Sequence, residues 1–248
     1  MWAALLPLGL IAAVVVVAPP ASPGFDAGWD GFETAETLRY RVIQSPELPP
    51  DAPVLIAIHG LGDSARGFSR FARRLRLPFR VVVPDGPKPW RPGTRGRSWY
   101  NLGPANAEVA DVAASTHRLV RLIDQLSARW PQAPPPFVIG FSQGGVMVYQ
   151  LAARHPRMIS GGVAVAGYLV PRELRLPRSQ AAPPVLIIHG RRDKRIKFEQ
   201  GRDAETRFRE SGYPVELFEH PQGHTIPRAA VARARRWLLE QARSLNGQ

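Results

Sequence analysis

The sequence predicts an α/β fold: a mainly parallel central sheet of about seven strands with helices on both faces. Three observations point there. Short β-branched runs alternate with longer segments of helical periodicity along the chain. Residues 54–59 form an unbroken apolar run, as expected of a strand buried on both faces. The chain has 248 residues, of which 44% are hydrophobic and 21% charged, enough to bury one core of this class without a covalent staple.

The elements follow in order. Residues 38–44 read as an early edge strand and 54–59 as a buried one. Residues 68–77 place Phe68, Phe71, Ala72 and Leu75 at helical intervals, and 80–84 make the next strand. Residues 86–104, rich in Pro, Gly and Trp, read as a long loop. The segment 109–130 sets Val112, Thr116, Leu119, Val120, Ile123 and Leu126 on one helical face. Arg118, Arg121, Asp124 and Arg129 lie on the other, and Pro131 stops the helix. Strand 137–141, helix 145–154 ended by Pro156, and strand 159–166 come next. Residues 169–184 are a Pro- and Arg-rich connection, a candidate lid. Strand 185–189, helix 198–211, strand 214–218 and helix 226–244 close the chain. No repeat and no domain linker follow Gly24, so residues 25–248 are expected to form one domain.

Composition excludes several chemistries. With no cysteine, disulfides, thiolate catalysis and cysteine-ligated metals are ruled out. The net charge of +13 is nearly all arginine, scattered through the chain with no nucleic-acid motif, and reads as a solvated surface with weak attraction to acidic partners as the minor alternative. No nucleic-acid partner, cofactor or metal is expected. Residues 1–18 carry no charge, and Val14, Val15, Val16 and Val17 form an apolar run ahead of Pro19, Pro20, Ala21, Ser22, Pro23 and Gly24. Residues 1–24 therefore read as a signal peptide or hydrophobic leader, giving a periplasmic or secreted protein. No Lys or Arg precedes the apolar run. A retained membrane anchor, or a cytoplasmic protein with a misassigned start, stays open.

The chemical signal is Gly140-Phe141-Ser142-Gln143-Gly144, directly after an apolar strand and before a helix. That strand–turn–helix setting is what a nucleophile elbow needs: a serine in a strained turn, flanked by glycines that let strand and helix approach. A serine hydroxyl needs a base within hydrogen-bond reach. Of the histidines after Ser142, His155 ends the following helix and His189 closes a strand. His220 and His224 both follow the last predicted strand. His224, in the loop Gln222-Gly223-His224-Thr225, is favoured over His220. Pro221 and Gly223 break the helix that an i,i+4 metal pair would need. Asp193, after the strand 185–189 at its carboxyl end, is the expected acid, with Asp203 the runner-up. Oxyanion donors are expected from the amides of Gln143 and, in the loop His59-Gly60-Leu61-Gly62-Asp63-Ser64, of Leu61. Asp63 and Ser64 read as caps of the next helix. Trp99 and Tyr100 either line a substrate pocket or pack in the core.

Together these pieces resemble the phospholipase/carboxylesterase family of bacterial carboxylesterases and acyl-protein thioesterases. They are His59-Gly60-Leu61-Gly62-Asp63, Ser98-Trp99-Tyr100, Gly140-Phe141-Ser142-Gln143-Gly144-Gly145, His189-Gly190-Arg191-Arg192-Asp193 and Gly223-His224. The resemblance implies an α/β-hydrolase fold and hydrolysis of small-molecule carboxylic esters or thioesters through an acyl-enzyme. Ser142 would be nucleophile, Asp193 acid, His224 base, and Leu61 and Gln143 oxyanion donors. Acyl thioesterase or lysophospholipase action on the same site, a peptidase or polyester depolymerase, and a non-catalytic binding protein on the same scaffold are the alternatives. The chain departs from the family where a Pro-Leu/Val-Val-Pro stretch often follows the acid. Here Lys194-Arg195-Ile196-Lys197 stands instead, a positive rim that would favour acidic substrates.

Overall fold

The computed structural model describes residues 33–35, 38–44, 47–103, 105–170, 176 and 182–246. The leader read in residues 1–24, and most of the connection read as a lid, lie outside them. Among the described residues the main sheet has eight strands in the order β1-β2-β4-β3-β7-β8-β9-β10. β1 (Glu33–Ala35), β2 (Leu38–Ile43), β3 (Val54–Ile58) and β4 (Arg80–Pro84) make one half of the sheet. β5 (Lys88–Pro89) and β6 (Arg97–Ser98) pair separately as a small antiparallel hairpin. β7 (Phe137–Phe141), β8 (Gly161–Val165), β9 (Val185–Gly190) and β10 (Val215–His220) complete the main sheet. The pairs β1–β2 and β2–β4 are antiparallel, and every other pair is parallel. This is the α/β-hydrolase arrangement.

Side-chain alternation assigns the two faces. Along β3, Val54, Ile56 and Ile58 enter one core while Leu55 and Ala57 enter the other. Along β9, Val185 and Ile187 divide from Leu186 and Ile188 in the same way. The first core is covered by α2 (Ala105–Arg129), α3 (Gln143–Arg154) and α4 (Phe198–Glu210). The second is covered by α1 (Ala65–Arg74) and α5 (Arg228–Asn246), through Phe68, Phe71, Trp237 and Leu238. Strands whose residues pack on both sides have no polar face to show, hence the continuous apolar runs.

The strand expected at the sheet edge, β2, is second from the edge. Three-residue β1 pairs outside it, Thr34 opposite Arg39. A Glu-Thr-Ala strand is too short to carry a period, which is why the sequence did not announce it. The loop expected over 86–104 is tied down by the β5–β6 hairpin. Helix α1 starts at Ala65, three residues earlier than its apolar pattern. Ser64 is its N-cap, accepting from the Gly67 N–H at 3.2 Å. The last strand runs on to His220, two residues beyond the expected end.

Candidate active site

Three parallel strands end at one rim of the sheet, and each delivers one polar side chain there. β7 runs into Ser142, whose backbone stands at φ 56°, ψ −115°, outside the regions a non-glycine residue prefers. Its amide donates to the Val165 carbonyl and its carbonyl accepts from Val146, so the turn is fixed on both sides. The flanking glycines are demanded by contact. A Cβ on Gly140 would stand 2.1 Å from the Gly144 carbonyl oxygen, and one on Gly144 would stand 2.1 Å from that of Ile58.

β9 delivers Asp193, buried at 6% exposure. Its Oδ1 accepts the backbone N–H groups of Arg195 at 2.8 Å and Ile196 at 3.0 Å. Oδ2 lies 2.7 Å from His224 Nδ1. Burial works to raise the Asp193 pKa, but hydrogen bonds from Ile196, His224 and Arg195 outweigh it, and the net shift is downward. The carboxyl is therefore held as the anion. The loop after β10 delivers His224, whose Nε2 stands 3.0 Å from Ser142 Oγ. A carboxylate can only accept, so Nδ1 carries a proton and donates, which frees Nε2 to accept the Ser142 hydroxyl. The imidazole packs on Phe141, ring centroids 4.8 Å apart.

The structure thus brings together Ser142, His224 and Asp193, which the sequence had named. It does not bring in the runners-up. His220 closes β10, buried, its Nδ1 3.1 Å from Gln222 Oε1, and Asp203 lies on α4 with its carboxylate 3.7 Å from Arg207. His189 supports the acid loop instead, donating from Nε2 to the Ile196 carbonyl at 2.9 Å.

The loop carrying Leu61 lies against the elbow: a Cβ added to Gly60 would sit 3.3 Å from that of Ser142. His59, fully buried, fixes the peptide that ends in the Leu61 amide. Its Nε2 accepts the Gly86 N–H at 3.0 Å, so Nδ1 is the protonated nitrogen and donates to the Gly60 carbonyl at 2.7 Å. Carbonyl and N–H point opposite ways across a trans peptide, so anchoring one orients the other. Burial lowers the His59 pKa, keeping this arrangement neutral. The Gln143 amide opens α3, and its side chain has a job the sequence did not reveal. Oε1 accepts from Ser98 Oγ at 3.1 Å and the Trp99 amide at 3.0 Å, while Nε2 donates to the Tyr100 carbonyl at 2.8 Å. Position alone hinted at His59, a polar residue following an apolar strand; nothing local hinted at the contacts of the Gln143 side chain.

A cleft of ≈ 960 Å³ opens over Ser142 and His224, within the range of small-molecule sites. Tyr100 lines it, and its hydroxyl donates to that of Tyr168 at 3.0 Å. Trp99 does not. Both aromatic side chains are fully buried; the Trp99 indole N–H donates to the His59 carbonyl at 3.0 Å, and of the two only Tyr100 is among the residues that line the cleft.

Residues 38–240 match the phospholipase/carboxylesterase family. Carboxylesterase SOBER1 of Arabidopsis thaliana is 24% identical over 202 residues, covering 74% of this chain and 88% of that protein. Acyl-protein thioesterase 1 of Yarrowia lipolytica is 26% identical over 181 residues, 66% of this chain and 79% of its own length. The crystal structure of the Bacillus cereus carboxylesterase superposes with a TM-score of 0.73 at 16% identity, over 83% of this chain and 95% of that one.

Proposed function

We propose that this chain, which belongs to the phospholipase/carboxylesterase family, hydrolyses carboxylic esters through an acyl-enzyme on Ser142. The observation that carries this reading is the continuous chain of contacts from Asp193 through His224 to the Ser142 hydroxyl, at 2.7 and 3.0 Å.

The reaction runs in two halves. As Ser142 Oγ attacks the ester carbonyl carbon, His224 Nε2 takes the hydroxyl proton, and the adjacent Asp193 carboxylate stabilises the imidazolium. Charge moves to the carbonyl oxygen, where the amides of Leu61 and Gln143 are the donors; one such donor contributes about 3 kcal/mol in the transition state. When the tetrahedral adduct collapses, the ester C–O bond breaks and His224 returns its proton to the departing alkoxide, leaving the acyl group on Ser142. Water then attacks the acyl-enzyme with His224 again as base. As the second adduct collapses, the bond to Ser142 Oγ breaks and His224 returns that proton to it, so the products over both halves are an alcohol and a carboxylic acid, with the serine restored. A thioester carbonyl meets the same nucleophile with a thiolate leaving, and the similarity to an acyl-protein thioesterase supports that second reading.

A panel of p-nitrophenyl esters and acyl thioesters, graded by acyl length, tests the reading. The best ester is expected to reach a kcat/KM of about 10⁴ M⁻¹ s⁻¹ or more. Folded protein that turns over none of them above the spontaneous rate would favour a binding role on a hydrolase scaffold.

A further inference from the structure

The segment that follows the acid forms one wall of the cleft: Arg195, Ile196 and Lys197 all line it, with Gln200 behind them on α4. This stretch is anchored at its backbone. Asp193 Oδ1 holds the amides of Arg195 and Ile196, and His189 holds the Ile196 carbonyl. The two cationic side chains therefore spring from a fixed base, and both are exposed.

Among the described residues some cations are paired and others, such as adjacent Lys194, are not; Arg195 and Lys197 are the Lys and Arg residues that line the cleft. Arg191 pairs with Glu219 at 2.5 Å, Lys88 with Asp111 at 2.7 Å and Arg209 with Glu205 at 2.6 Å. Among the described residues no carboxylate pairs with Arg195 or Lys197. The cleft also holds two acidic side chains, which keep their charge but do not pair with Arg195 or Lys197: Asp63 Oδ1 accepts the Ser64 amide at 2.8 Å, and Glu108 accepts the Tyr168 hydroxyl at 2.5 Å. A wall with two unpaired positive charges beside the reacting serine attracts a negative group on whatever occupies the cleft.

We infer that the cleft selects esters that carry an anionic group, bound by Arg195 and Lys197. This rests on the esterase reading and adds a substrate class to it. The anion could sit on the acyl chain or on the leaving alcohol, and two matched pairs of substrates separate these sources. On the acyl side, the mono-p-nitrophenyl ester of adipic acid is compared with p-nitrophenyl hexanoate. On the alcohol side, 4-acetoxybenzoate is compared with its methyl ester. In low salt at neutral pH, kcat/KM for the anionic member of at least one pair is expected to exceed its neutral match by about tenfold, the reach of two exposed ion pairs. The ratio should shrink as salt rises, because exposed charges are screened.

In the double variant Arg195→Ala/Lys197→Ala that ratio is expected to fall towards one. The chain's net charge of +13 offers a rival cause, and charge reversal of exposed Arg235 and Arg236 on α5, which do not line the cleft, controls for it. Three results overturn the inference while leaving the esterase reading in place, since neutral esters would still turn over. One is no preference in either pair. Another is a preference that survives the double variant. The third is a preference that the α5 reversal abolishes just as fully. If none of the four substrates is hydrolysed, the esterase reading and the inference fall together.

Discussion

Ser142→Ala is expected to lower kcat for any ester substrate by roughly 10⁶-fold, because a hydrolase that works through an acyl-enzyme loses its covalent route with the hydroxyl. Part of the cleft survives the change: the amides proposed as oxyanion donors and the cleft lining remain, so a residue of catalysis over water of roughly 10³-fold is expected. The fold should be unaffected. Alanine keeps the Cβ that Ser142 already carries at φ 56°, so the turn strain is the same before and after, and the backbone bonds to Val165 and Val146 do not involve the side chain. Steady-state kinetics, with circular dichroism to show matched folding, provide the check. A folded variant within tenfold of the parent activity would remove Ser142 from the chemistry.

Asp193→Asn is expected to lower kcat by about 10⁴-fold, for a reason that can be followed atom by atom. Oδ1 of Asp193 receives two backbone N–H groups, from Arg195 and Ile196. In asparagine the amide oxygen must take that place, because an NH₂ group there would face two donors. The NH₂ is then turned toward His224 Nδ1, where the carboxylate Oδ2 now lies at 2.7 Å. An NH₂ donates, so Nδ1 becomes the acceptor and the imidazole proton moves to Nε2. The nitrogen facing Ser142 is then unable to take the hydroxyl proton. Asp203→Asn, on the solvent side of α4 beside Arg207, serves as the control and should change kcat little. The acid assignment fails if the two variants behave alike.

The contrast between these two aspartates shows what could be read in advance. Asp193 follows an apolar strand by three residues, and strand ends in parallel sheets are where ligand chemistry gathers, so order along the chain located it. Ser142 was legible for the same reason, its glycines sitting between a strand and a helix. His224 was separated from His220 by the glycine beside it. The framework was open to reading because β3, β7 and β9 pack on both sides and must be apolar throughout.

What stayed hidden depends on partners distant in the chain. Gln143 was read only as an amide donor. That its side chain also clamps the 98–100 backbone follows from contacts more than forty residues away in sequence. Trp99 left two readings open, and only its place in three dimensions separates them, because an indole that donates to the His59 carbonyl looks the same in sequence as one that lines a pocket. β1 and the β5–β6 hairpin have two or three residues per strand, too few for alternation to register.

The central claim is that Ser142 is the nucleophile of an acyl-transfer site, and covalent labelling tests it most directly. Folded protein would be treated with a fluorophosphonate, digested and mapped by mass spectrometry. The account predicts a single phosphonyl adduct on Ser142. An adduct on another residue, or folded protein that stays unlabelled, would contradict it.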